Sequence, residues 1–180
     1  MEQTTGTSGG DGTRVRRAFF LDRDGVINVH RDDYVKSVEE FVLLPDAPRA
    51  IRLLNENGWL VVVVTNQSAV GKGIITEDRL REIHAHMLSL LEKEGARVDA
   101  IYYCPHRPDD GCPCRKPEPG MLLRAARDLG IDLSRSVMVG DMDTDIEAGK
   151  RAGTWKQIRV GDGKNLLDAV MEVLGECEGC

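Results

Sequence analysis

Long apolar runs are missing from this 180-residue chain. None approaches the ~20 residues that a membrane-spanning helix needs, so no membrane partner is expected. An excess of basic charge is missing too. Lys and Arg number 24 against 30 Asp and Glu, a net charge of -6. Nonspecific nucleic-acid binding demands clustered cations, which this balance does not offer. An anionic ligand must be drawn by a local site, against the field of the whole chain. A paired cysteine framework is absent as well. The five cysteines are an odd number, and three of them crowd one short stretch. That favours a reducing cytoplasm over a secreted disulfide scaffold. The N-terminal MEQTTGTSGGDGTRVRR has no apolar core and does not read as a secretory signal. No internal repeat is visible.

What is there has the balance of a globular protein, with 41% hydrophobic and 30% charged residues. The length suits one domain with a real core. Gly, Ser and Thr over residues 1–15 predict a flexible tail. GECEGC, which carries Cys177 and Cys180, predicts a second tail over 176–180. One domain should fill 16–175.

Within that domain, RAFFL, WLVVVVT (59–65), AIYYC (100–104), SVMVGD (136–141) and WKQIRV (155–160) read as strands. The run of valines shows no alternation, as a strand buried on both faces requires. Helical periodicity fills the gaps, over 46–58, 76–95, 119–130 and 144–153, with a last helix from about Asn165 to Leu174. Thr76 is a good N-cap, and Gly58, Gly95, Gly130 and Gly153 are natural stops. Strands alternating with helices predict an α/β fold, a parallel sheet covered on both faces. Ligands of such sheets bind beyond the carboxyl ends of the strands.

Chemistry-bearing residues collect at those ends. LDRDG places Asp22 and Asp24 two apart, followed by a glycine turn. Two close carboxylates suit a cation such as Mg²⁺, although Asp and Gly are equally common in plain surface turns. TNQS offers the Thr65 hydroxyl and the Asn66 amide, ordinary loop residues when taken alone. Arg115 and Lys116 follow the third strand. GDMDTD follows the fourth with Asp141, Asp143 and Asp145, and Asp143 or Thr144 reads best as a helix cap.

In this order and strand context, the residues resemble the haloacid dehalogenase (HAD) phosphohydrolase superfamily, over about Arg17 to Val160. The resemblance implies a three-layer Rossmann-like fold and a phosphatase mechanism. Asp22 would attack phosphorus and form an aspartyl-phosphate. Asp24 would protonate the leaving oxygen, then take a proton from water. Mg²⁺ would be held by Asp22, the Asp24 backbone carbonyl and Asp141. Thr65 and Lys116 would hold the transferred phosphate.

The stretch CPHRPDDGCPCRKP adds a second centre. Cys104 and His106, with Cys112 and Cys114, form two close pairs of ligands that suit tetrahedral Zn²⁺. A redox pair or plain buried cysteines are the alternatives. Redox motifs of the thioredoxin kind space their cysteines differently, and HRPDDG is too polar for a core. Four protein ligands leave no open position, so the zinc would be structural. It would brace the loop that delivers Arg115 and Lys116.

The zinc loop, with LDRDGVIN, VTNQSAVGKG and KPEPGMLL, is similar to the zinc-containing heptose bisphosphatases. That resemblance implies removal of the 7-phosphate of D-glycero-D-manno-heptose 1,7-bisphosphate, on the route to nucleotide-activated heptose. Histidinol-phosphate phosphatases share the DRDG start, TNQ and the zinc loop, and remain the alternative enzyme. A catalytically inactive, zinc-stabilised binding module is the alternative of another class. Three features depart from the heptose pattern: the short segment between His106 and Cys112, Met142 after Asp141, and one extra residue in VHRDDYV. Substrate contacts are expected from Arg23, His30, Asp33, Tyr34, Asn66, Gln67, Ser68, Arg115 and Met142. Arg115 is free to read a second phosphate. Only 23 residues separate Asp22 from Asp46, and ten separate Thr65 from Thr76. Neither gap holds a cap domain of ~50 residues or more, so the cleft should be open. His84 and His86 read as surface or packing residues, and Asp109 and Asp110 as turn residues. The enzyme is expected to act as a monomer on a small sugar bisphosphate.

Overall fold

The computed structural model describes residues 15–178. Five segments form strands: β1 (Ala18–Leu21), β2 (Leu60–Asn66), β3 (Ala100–Cys104), β4 (Val137–Gly140) and β5 (Lys156–Arg159). All neighbours pair in parallel, in the order β3-β2-β1-β4-β5. The helices are α1 (Ala47–Glu56), α2 (Ser68–Gly71), α3 (Glu77–Lys93), α4 (Gly120–Leu129), α5 (Asp143–Ala152) and α6 (Leu166–Glu178).

The period of two along each strand sorts its residues between two cores. Phe19, Leu21, Val61, Val63, Val137 and Val139 pack with the apolar faces of α1, α3 and α6. Phe20, Val62, Val64 and Met138 pack with Met121, Leu122 and Ala125 of α4 and Ala148 of α5. The result is three layers, with every residue of β1 buried. Truncating one such side chain, Leu54 for example, costs about 2–5 kcal/mol.

Local signals set the helix ends. Thr76 Oγ1 accepts from Arg79 N at 3.1 Å and opens α3. Gly130 and Gly153 close α4 and α5 in the left-handed conformation, at φ 66° and 89°.

β1 lies between β2 and β4, so the chain leaves it in opposite directions on its two sides. This switch point opens a crevice beyond the carboxyl end of β1. Among the described residues, no cap domain covers it. Residues 23–45 contain only a 3₁₀ turn at Val38–Glu40 as helical structure, and residues 67–75 only α2.

Two features differ from the sequence reading. The AVGKG part of VTNQSAVGKG, where the sequence predicts no helix, begins in the one-turn helix α2. Its Gly71 N donates to Pro105 O at 2.9 Å, where a Cβ would meet that oxygen at 2.6 Å. Contact with a neighbouring loop, invisible in local sequence, fixes this turn. At the other end, α6 runs to Glu178. Residues 176–178 of the expected C-terminal tail are therefore helical. The expected N-terminal tail, apart from Val15, and Cys180 lie outside the described residues.

Candidate active site

The strand ends converge as their order demands. Asp22 follows β1, and its N–H donates to Val139 O of β4 at 3.0 Å. Gly25 adopts φ +83°, and a Cβ there would collide with the Asp141 carboxylate. Glycine thus lets the first turn press against the residue that follows β4.

Lys116 is the hub. It is buried, and its Nζ lies 3.0 Å from Asp22 Oδ1 and 2.6 Å from Asp145 Oδ1. It also donates to Val64 O at 2.8 Å. Burial opposes the Lys116 charge, but Asp22 and Asp145 outweigh it and hold its pKa above the usual lysine value. Asp22 is pushed up to about 7, first by burial and then by Asp145 and Asp24, against the pull of Lys116. Burial, then Asp145, raises the Asp141 pKa too.

Carboxylate oxygens of Asp22, Asp141 and Asp145 all lie within 4.8 Å of one another. Asp141 Oδ1 is buried without a hydrogen-bond partner among the described residues. Three converging carboxylates, one with an unsatisfied oxygen, form a set suited to a hard divalent cation. Asp145 was legible only as one acid among three in GDMDTD. Its Oδ2 accepts from Met142 N at 3.1 Å, which ties it to the start of α5. The N-cap of α5 is therefore Met142; the expected caps Asp143 and Thr144 sit in its first turn. Asp143 pairs with Arg159 at the surface.

Asp24 is held differently. Its Oδ1 accepts from Arg23 Nη2 at 2.9 Å, Arg23 Nε at 3.2 Å and Asn28 Nδ2 at 2.9 Å. Its Oδ2 accepts from Gln67 Nε2 at 3.0 Å. Burial would raise the pKa of Asp24, but the Arg23 charge and these donors outweigh it and hold it below the usual value. Two acids two residues apart thus stand in opposite environments.

Three residues expected to touch substrate have protein partners in the structure. Arg23 has no exposed surface, and its guanidinium braces Asp24 from behind. Its Nη1 lies 3.1 Å from Nε2 of His84, which is buried and not a surface residue. Thr65 is wholly buried, and its Oγ1 accepts from Gln67 Nε2 at 2.9 Å. It positions Gln67 and is shielded from the cleft. Asn66 borders the cleft, but both ends of its amide are bound to the Lys116 main chain.

The cleft itself encloses about 300 Å³. His30, Tyr34, Ser68, Arg115 and Met142 line it as expected, and Lys72 lines it unexpectedly. Tyr34 takes a left-handed φ of 68°, and its hydroxyl accepts from Lys72 Nζ at 2.6 Å. Arg115 Nη1 is buried and has no hydrogen-bond partner among the described residues. Asp33, expected at the substrate, is not among the residues that line the cleft. It turns away into a rim network with Arg31 and Lys36, and Asp32 lines the cleft in its place. The two cations outcompete the cleft for that carboxylate.

The Cys–His stretch folds into a single knot. Cys104 Sγ lies 3.3 Å from His106 Nδ1, 3.4 Å from Cys112 Sγ and 2.8 Å from Cys114 Sγ. His106 Nδ1 lies 3.2 Å from Cys114 Sγ. Four soft or borderline donors converging on one point fit a tetrahedral metal of the zinc type.

Known proteins resemble this chain in sequence and fold. A HAD-hyrolase-like family model matches residues 113–173. A D-glycero-beta-D-manno-heptose-1,7-bisphosphate 7-phosphatase of Pseudomonas aeruginosa is 44% identical over 151 residues, covering 84% of each chain. The enzyme of that name from Bordetella bronchiseptica is 42% identical, covering 84% of this chain and 85% of the relative. A crystal structure of the D,D-heptose 1,7-bisphosphate phosphatase from B. bronchiseptica, complexed with magnesium and phosphate, superimposes with a TM-score of 0.81. It is 37% identical and covers 89% of this chain and 99% of its own. By fold, site and relatives, this chain belongs to the family of the D-glycero-D-manno-heptose-1,7-bisphosphate 7-phosphatases, among the HAD-like hydrolases.

Proposed function

We propose that this protein is a magnesium-dependent phosphomonoesterase that removes the 7-phosphate of D-glycero-beta-D-manno-heptose 1,7-bisphosphate. The observation that carries the reading is the opposed setting of Asp22 and Asp24. Asp22 stands beside Lys116 and two further carboxylates. Asp24 is clamped ionised by Arg23.

Mg²⁺ would be held by Asp22, Asp141 and the Asp24 carbonyl, with Asp145 nearby, and would screen the charge of nucleophile and phosphate. Lys116 orients Asp22 for attack and offers its ammonium to the phosphoryl oxygens. The aspartyl-phosphate forms on Asp22. Asp24 is a base in the free site. An arriving phosphate raises its proton affinity through like charge, so Asp24 takes up a proton from solvent as substrate binds and can donate it to the departing sugar oxygen. It then recovers a proton from the water that hydrolyses the aspartyl-phosphate.

The distal cleft offers hydrogen-bond donors: the unpaired Arg115 Nη1, the Lys72 ammonium and the Tyr34 hydroxyl. Such a set suits the second phosphate. The Cys104, His106, Cys112 and Cys114 knot would hold structural Zn²⁺ between β3 and Arg115.

The test is phosphate release from heptose 1,7-bisphosphate, heptose 7-phosphate, hexose bisphosphates and histidinol phosphate. The heptose bisphosphate should give the highest kcat/KM. A preference for histidinol phosphate would overturn the substrate and leave the chemistry standing.

A further inference from the structure

Arg23 is a charge sealed inside the protein. A buried guanidinium is tolerated only where its donors are met. Its Nε and Nη2 are met by Asp24 Oδ1. Its Nη1 is met by His84 Nε2. Arginine has no acceptor, so the shared hydrogen belongs to Arg23 and Nε2 accepts it. The ring is therefore neutral, with its proton on Nδ1. Burial and the Arg23 charge both keep it so.

His84 is mounted on α3, whose Ile83, Met87 and Leu91 are locked in the core. It does not line the cleft. Its reach toward the chemistry runs only through Arg23.

The Asp24 carboxylate shows what that reach does. Oδ1 takes three hydrogen bonds, two of them from Arg23. Oδ2 takes one, from Gln67. Oδ1 is thus saturated, and Oδ2 keeps a lone pair free on an oxygen whose angle is fixed by the bonds to its twin. We propose that His84 is a positioning residue: it anchors Arg23, and Arg23 holds Asp24 so that Oδ2 carries the proton to the leaving oxygen. The proposal rests on the acid–base reading of Asp24.

The experiment compares two substrates. Heptose 1,7-bisphosphate expels a poor alkoxide and needs the proton; p-nitrophenyl phosphate expels a good leaving group and barely needs it. His84→Leu removes the acceptor. It should lower kcat on the sugar phosphate about tenfold to a hundredfold, with little change in KM and a much smaller loss on the aryl ester. His84→Gln, whose Oε1 can accept from Arg23, should recover most of the loss. His84→Glu supplies a folded alternative if leucine is not tolerated. Its charge draws Arg23 off Asp24 and should reproduce the selective loss.

Equal losses on both substrates in the leucine or glutamate variant would overturn the proposal, as would a glutamine variant no better than leucine. Asp24→Asn is the control for the underlying reading. If it shows the leaving-group dependence and the His84 variants do not, only the positioning role fails. If Asp24→Asn shows none, the acid role fails and the positioning role falls with it.

Discussion

Asn66 grips Lys116 by its main chain from both sides. Its Oδ1 accepts from Lys116 N at 3.0 Å, and its Nδ2 donates to Lys116 O at 3.2 Å. An amide on the last residue of β2 thus sets the height of the ammonium between Asp22 and Asp145. Asn66→Ala should cost about 1–3 kcal/mol of stability through the two lost bonds. Turnover should fall further than folding, on the order of a hundredfold, because a shift of one ångström at the phosphate is enough. Steady-state kinetics beside a thermal melt separates the two.

Asp22→Asn should abolish turnover and leave the fold standing. The amide keeps the shape of the side chain and cannot attack phosphorus. It also removes one of three crowded carboxylates, so the melting temperature should hold or rise. A well-folded variant with near-normal phosphate release would remove Asp22 from the nucleophile's role.

Elemental analysis of protein purified without added metal should find one zinc per chain. Cys112→Ser should lower that content and raise KM for the bisphosphate, because the knot leads directly into Arg115. Zinc-free wild type with full activity would contradict the structural role.

Arg115→Ala should discriminate between substrates. A charge-assisted contact to a second phosphate is worth about 1.5–3 kcal/mol, or roughly tenfold to over a hundredfold in binding. The loss should fall on heptose 1,7-bisphosphate, mainly in KM, and spare heptose 7-phosphate. Equal losses on the two would show that Arg115 does not read the second phosphate.

A pH series tests the neutral state of His84. Its pKa falls from 6.5 to about 3, chiefly through burial and then the Arg23 charge. Between those values the unfolded chain binds a proton that the folded one refuses. Stability is therefore lost as pH falls through 6.5 toward 3, by about 1.4 kcal/mol per unit. His84→Gln lacks this term. Its melting temperature should decline less steeply than that of wild type between pH 6.5 and 4; parallel declines would mean that the ring is already charged.

Much of this molecule was legible in its sequence, and the reason is the sheet. Strands buried on both faces write themselves as apolar runs, and a parallel order brings the residues after each strand to one edge. Asp22, Lys116 and Asp141 were found that way. The features that escaped depend on contacts across the chain. Nothing near Arg23 says that its side chain turns inward, because the deciding partner is His84 on α3. Asp33 and Asp32 are adjacent and identical, and their partners tell them apart: Arg31 and Lys36 hold Asp33, while Asp32 lies beside His30 at the cleft. Lys72 lies in a glycine-flanked stretch that becomes a helical turn only because Pro105 receives it.

That clasp between Gly71 and Pro105 ties the Lys72 turn to the knot that carries Arg115 on its other side. The two walls of the distal cleft are thus not independent parts. An insertion that lengthened either loop would move both at once, so the route to a larger or smaller substrate runs through paired changes, and a single one widens the gap and loses grip on everything. β1, by contrast, is hydrogen-bonded on both sides and buried along its length. In a chain built this way, the choice of sugar can drift while the attack on phosphorus stays fixed.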